Sequence, residues 1–161
     1  MIYNFFIKKI KFFIYLLICI FSFSFPLKGF CDDMNSIGMK LLTKAIEFAK
    51  TNGEQKAFQE ITYGKTFKNK DISIFVVDKN YKIVAHNNGE NEIGAHVLYS
   101  SKVKQFIDNV FKNETSIAQY VKKDPQKISK EDNQSADLYK IKYAYGKKYK
   151  DYVFAYSYFV E

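Results

Sequence analysis

The hydrophobic positions change period along the chain, and the changes mark out its elements. From Met34 onward, apolar residues recur at Ile37, Leu41, Ala45 and Phe48, with Leu42 and Ala49 widening the stripe. Spacings of three and four put one apolar face on a helix of about four turns. Asp32, Asp33 and Asn35 supply cap candidates and negative charge at its start, and Asn52-Gly53 supplies a stop. Glu54–Tyr63 repeats the pattern through Ala57, Phe58 and Ile61. The pattern then becomes strand-like. Ile72–Val77 is rich enough in β-branched residues for a buried strand, and Tyr81–His86 returns after the turn chemistry of Asp78-Lys79-Asn80. Asn87–Gly94 reads as a polar loop. Val103, Phe106, Ile107, Val110 and Phe111 form the apolar face of a third helix capped by Ser100 or Ser101. Ser116–Lys122 is a short strand, Lys123–Ser135 a polar loop, and Leu138–Tyr145 and Tyr152–Val160 two further strands joined by a Gly146–Asp151 turn.

This order predicts an α+β domain over residues 32–161, with a five-stranded antiparallel sheet and a long N-terminal helix. That helix should cover one sheet face, and the segment between the second and third strands the other. The layer beneath a crossing segment is a natural place for a small pocket.

Residues 1–31 follow a different logic. Lys8, Lys9 and Lys11 precede Phe12–Leu27, sixteen residues without a charge, broken by Ser22, Ser24 and Pro26. A positive flank, a short apolar core and small residues near the end describe a secretory signal peptide. A spanning helix needs about 20 apolar residues. A retained N-terminal anchor in the inner membrane is the alternative. Lipid attachment at Cys31 is opposed by the bulk of Phe30. The expected location is periplasmic or secreted.

Composition changes the picture in three places. The formal charge of +8 rests entirely on lysine, because all 25 basic residues are lysine. Removing Lys8, Lys9, Lys11 and Lys28 with the leader halves that charge, so the basic balance does not point to nucleic acid. Without arginine, bidentate recognition of phosphates and base edges is also lacking. The two cysteines cannot build a disulfide scaffold or a four-ligand zinc site. His86 and His96 have no metal-ligand spacing, no glycine-rich phosphate loop or nucleophile elbow is present, and Glu90 and Glu92 lie in a loop. The expectation is a protein without catalytic residues, metal or cofactor, with His86 a locally hydrogen-bonded residue at a strand end.

The tyrosines carry the chemical signal. Seven of the thirteen fall in Tyr139–Tyr158. Alternation puts Tyr139, Ile141, Tyr143 and Tyr145 on one face of their strand, and Tyr152, Phe154, Tyr156 and Tyr158 on one face of the next. Tyr120 can join them from the neighbouring strand. Converging phenol hydroxyls could hold a small polar ligand, an anion above all if a lysine is near. The same rings could equally close into a core.

At Asp71–Gly94 the residues resemble a known family. Asp-Ile-Ser-Ile-Phe-Val-Val-Asp, then Lys-Asn-Tyr-Lys-Ile-Val-Ala-His, then Asn-Asn-Gly-Glu-Asn-Glu-Ile-Gly is similar to the single-Cache family of extracytoplasmic, PAS-like sensor domains. Gly53-Glu54-Gln55-Lys56-Ala57-Phe58 looks like the family's helix junction. Lys140-x-x-Tyr143 and Tyr152–Phe159 resemble its last two strands. The sequence departs from the family at Ile117-Ala118-Gln119-Tyr120, which lacks a Gly-Trp pair, at Ala155-Tyr156-Ser157, which lacks a Gly-x-Gly, and at Tyr81, where a turn glycine stands. The resemblance implies a domain that binds a small organic ligand, such as a short carboxylate, and passes a signal to an envelope sensor or receptor protein. Its ligand-binding residues would be Tyr120, Tyr143 and Tyr156, with Phe75 as an apolar wall and Lys140 as counter-charge. Lys140 and Tyr143 can reach one ligand only across a bulge. The alternative is an interaction module for an envelope protein, with its cavity closed by aromatics.

Overall fold

The computed structural model of the protein describes residues 30–123 and 139–160. The leader up to Gly29 and the polar loop after Lys123 lie outside the described residues. Helix α1 (Phe30–Asn52) leads into α2 (Glu54–Tyr63), with Gly53 between them at φ 85°. Strands β1 (Ser73–Asp78) and β2 (Ile83–His86) form a hairpin, two short 3-10 turns follow, and α3 (Ser101–Asn113) leads to β3 (Thr115–Lys123), β4 (Tyr139–Tyr149) and β5 (Tyr152–Phe159). All neighbours in the sheet are antiparallel, in the order β2-β1-β5-β4-β3. The α+β architecture with one antiparallel sheet is therefore as expected.

Each face has its own core. On one face Leu42, Ala45, Ile46 and Ala49 of α1 and Phe58 and Ile61 of α2 meet Ile72, Ile74, Val76, Phe154, Tyr156 and Tyr158. The buried stripe of α1 is centred on Gly38, Leu42, Ala45 and Ala49, and Ile37, Leu41 and Phe48 flank it half-buried. On the other face Val103, Phe106, Ile107 and Val110 of α3 meet Phe75, Val77, Ala144, Val153 and Ala155. The side chain of Ser100 caps α3 by accepting from the Val103 N–H. β1 and β5 are buried on both sides, which accounts for their continuous apolar runs.

Two local features depart from expectation. The last hairpin is tighter than Gly146–Asp151: Tyr149 pairs with Tyr152, leaving Lys150-Asp151 as the turn, with Lys150 at φ 54°. Gly146 instead lies inside β4, where a methyl group would fall 2.8 Å from Phe106 Cζ and 2.9 Å from Val110 Cγ2. It is glycine because α3 passes close above it, not because the chain turns there. In the first hairpin, Asp78 Oδ1 accepts from the N–H groups of Asn80 (2.8 Å) and Lys82 (2.9 Å), the expected turn-forming role. Tyr81 takes φ 61° in that turn, and its hydroxyl donates to Asp108 Oδ1 of α3 at 2.6 Å. The side chain thus secures a backbone conformation that usually goes to glycine.

The loop after β2 contains a residue that closes the sheet end. Asn87 is fully buried, not part of a solvated loop. Its Oδ1 accepts from Ile74 N (2.9 Å), and its Nδ2 donates to the carbonyls of Phe67 (2.7 Å) and Ile72 (3.1 Å). Its side chain takes the place of a strand partner for three backbone groups. Replacing Asn87 by alanine strands those groups in the core, so urea unfolding is expected to show a loss of about 2–4 kcal/mol. A loss below about 0.5 kcal/mol would contradict this role.

Candidate functional site

The strand register decides which expected residues can share a site. Tyr120 pairs with Lys142, and Phe75 with Ala155 and His86, so these residues lie on the α3 face. Lys140 pairs with Lys122 on the same face. Tyr143 pairs with Tyr158, Tyr145 with Tyr156, and Tyr156 with Ile74, all on the α1 face. The β4 register runs unbroken from Tyr139 to Tyr149, so no bulge carries Lys140 round to Tyr143. The expectation of one pocket formed by Tyr120, Tyr143 and Tyr156 is thereby corrected: the sheet itself separates Tyr120 from the other two. Phe75, Tyr120 and Lys140 remain together.

Tyr143 and Tyr156 are packing residues. Tyr156 is 0% exposed and stacks between Tyr145 (5.7 Å between centroids) and Tyr158 (6.4 Å). Tyr143 tilts against Tyr158 at 5.1 Å. The Tyr156 hydroxyl donates to Asn35 Oδ1 of α1, and its ring fills the space that Gly38 leaves open. Burial, reinforced by the neighbouring phenols, pushes the Tyr156 hydroxyl above its ordinary pKa.

On the α3 face the sheet is paved with small residues: Ala118, Ala144, Gly146, Ala155 and Ser157. Ala144 and Ala155 pack under α3. Lys142 lies two residues beyond the first and Ser157 two beyond the second, in the same direction along the sheet. Lys142 is only 7% exposed. Its ammonium lies over the Phe159 ring, 5.2 Å from the centroid, and among the described residues it forms no ion pair with a carboxylate. Burial, with Lys122 adding to it and Glu92 opposing, lowers its pKa to about 8. The Ser157 hydroxyl is buried on the same face and has no hydrogen-bond partner among the described residues. A buried cation without an ion pair and a buried hydroxyl without a partner are each costly, and both lie on one face of the sheet.

The surrounding charges are arranged around Glu92. Its carboxylate stands 3.8 Å from Lys122 Nζ and 3.8 Å from His86 Nε2. His86 is the expected local hydrogen-bonder: its Nδ1 accepts from Asn88 N at 3.1 Å, which places the neutral ring's proton on Nε2, toward Glu92. The ring stacks on Phe75 at 6.1 Å. Burial pushes its pKa down to about 4. Lys142, Lys122 and Lys68 reinforce that shift, and Glu92 opposes it. The cluster is thus a neutral imidazole, one carboxylate and two ammonium groups, with Tyr120 and Lys140 beside them. Sequence reasoning missed Lys142, Ser157 and Glu92. The signal for Ser157 was the one small polar residue in a strand otherwise made of aromatic and aliphatic side chains. For Lys142 it was a lysine in register with Ala144 and Gly146.

The single antiparallel sheet, with a long leading helix on one face and a crossing segment on the other, is a fold shared with solved structures. A periplasmic sensor domain of a chemotaxis protein superposes with a TM-score of 0.51 at 11% identity, over 81% of this chain and 94% of that one. A methyl-accepting chemotaxis protein from Vibrio parahaemolyticus superposes with a TM-score of 0.59 at 12% identity, over 81% of this chain and 90% of that one. No family model matches the sequence, and no curated protein matches it. Among the described residues, no helix is long and apolar enough to cross a membrane, and no cluster of three or more metal-ligating side chains occurs.

Proposed function

We propose that this protein is an extracytoplasmic sensory domain that binds a small organic anion on the α3 face of its sheet. The observation that carries this reading is Lys142, a buried ammonium that makes no ion pair among the described residues and feels Glu92 only at longer range. An arriving carboxylate would supply the missing charge and an acceptor for the Ser157 hydroxyl. Phe75 would offer an apolar wall, and Tyr120 and Lys140 complete the rim from β3 and β4. The protein acts by binding, not catalysis, and passes the bound state to a receptor or envelope partner. Its place is the periplasm, reached through the leader in residues 1–31.

The test is a thermal-shift screen of short carboxylates, with amino acids and amines as comparison sets. A ligand at ~100 times its dissociation constant adds about 2.7 kcal/mol of stability. Anions are expected to shift the melting temperature and amines are not. No shift with any carboxylate would remove this reading. It would leave the interaction module as the better account, a reading favoured by the exposed apolar side chains Ile117, Val121, Tyr139 and Ile141 on β3 and β4.

A further inference from the structure

A concavity lies beside α2, with its apolar floor in the α1-side core. An open groove of about 380 Å³ runs between α2 and the β1–β2 hairpin, within the size range of small-ligand sites. Phe58, Val84 and Tyr152 line it, and all three belong to the α1-side core. Two exposed large apolar side chains also line it, Tyr63 at 67% and Ile93 at 37%. None of the residues expected to bind ligand touches it.

The α2 lip has a specific chemistry. Gln55 and Gln59 both line the groove, and neither side-chain amide makes a hydrogen bond within the described residues. Residues four apart on a helix lie one above the other, about 6 Å along the axis. Peptide groups on one side of an extended chain repeat every two residues, about 6.6 Å. Each glutamine amide offers one acceptor and two donors, matching the N–H and C=O of a peptide unit. The opposite lip adds Asp78, Lys82 and Gly94.

We propose that this groove binds an extended peptide segment of a partner protein, with one apolar side chain set on Phe58, Val84 and Tyr152 and its backbone held by Gln55 and Gln59. The glutamine spacing favours a chain with repeating amides over a compact solute. The neutral α2 lip favours an uncharged stretch. Its apolar floor of Phe58, Val84 and Tyr152 belongs to the α1-side core, and Lys142 is not among the residues that line it.

The test uses the full chain, isotopically labelled, titrated with acetyl-Ala-Leu-Ala-amide and acetyl-Ala-Phe-Ala-amide and followed by amide chemical shifts. Saturable shifts confined to α2 and residues 82–94 are expected. Gln55→Ala with Gln59→Ala should weaken binding about tenfold, the loss of two peptide hydrogen bonds. Both positions are exposed, so the double variant folds. Lys142→Met should leave peptide binding unchanged, which separates this site from the anion reading. The proposal is overturned if neither peptide gives saturable shifts at ~10 mM, where millimolar affinities register. It is also overturned if the glutamine variant binds as the parent does, or if 2-methylpropanol, which has the apolar group without the amides, binds equally well.

Discussion

Replacing Tyr156 by alanine is expected to lower the unfolding free energy by about 3–5 kcal/mol, the range for removing a large buried ring. The ring is fully buried, and three elements converge on it: Ile74 of β1 across the strand pair, Tyr145 of β4 in a stack, and α1 above. The approach of α1 depends on Gly38, where a methyl group would fall 2.3 Å from Tyr156 Cδ2. Cavity collapse is hindered because the facing helix residue is already the smallest one. Tyr156→Phe keeps the ring and loses the hydroxyl contact to Asn35, so its cost should stay near 1 kcal/mol. Urea unfolding of both variants gives the comparison. Equal losses would show that the hydroxyl, not the packing, holds α1 in place.

Replacing Lys142 by methionine is expected to do two opposite things. Methionine keeps most of the side-chain volume and removes a buried charge that has no carboxylate beside it, so the ligand-free protein should gain about 1–3 kcal/mol. The same change removes the charge that the proposed anion would meet, so the carboxylate response should vanish. The pH profile separates charge from packing. The folded amine titrates near 8, below its ordinary 10.5, so the unfolded chain holds more protons between those values. Stability of the parent protein should therefore rise as pH increases from about 8 toward 10.5, and anion affinity should fall over the same interval as the amine loses its proton. The methionine variant should lack this rise. A variant less stable than the parent would mean that the ammonium has a structural partner. Carboxylate binding that survives the change would place the anion elsewhere.

Much of this fold was legible because burial imposes period. Ile72–Val77 and Tyr152–Val160 are apolar on both faces and read as strands at once. The α3 stripe of Val103, Phe106, Ile107 and Val110 is buried as its spacing required. The site was harder to read for two physical reasons. Alternation assigns a residue to a face within its own strand, but only the register between strands says which faces coincide. Tyr120 was therefore grouped with Tyr143 and Tyr156, although its pairing with Lys142 puts it on the other side. A polar residue in a loop also looks solvated until its partners are known. Asn87 and Glu92 sit in one polar stretch, yet the first is buried among backbone groups and the second stands between His86 and Lys122.

Glu92 gives the α3 face an asymmetry between its two lysines. The side chain comes from the segment after β2, at one margin of the sheet, and stands beside Lys122 of β3, at the other margin. Among the described residues, Lys122 thus has a counter-ion within 4 Å and Lys142 has none. On the proposed reading, a newcomer with one negative group meets less competition at the second than at the first. A newcomer with two must displace the resident to use both, and by doing so would release an acidic clasp that joins the sheet's opposite margins.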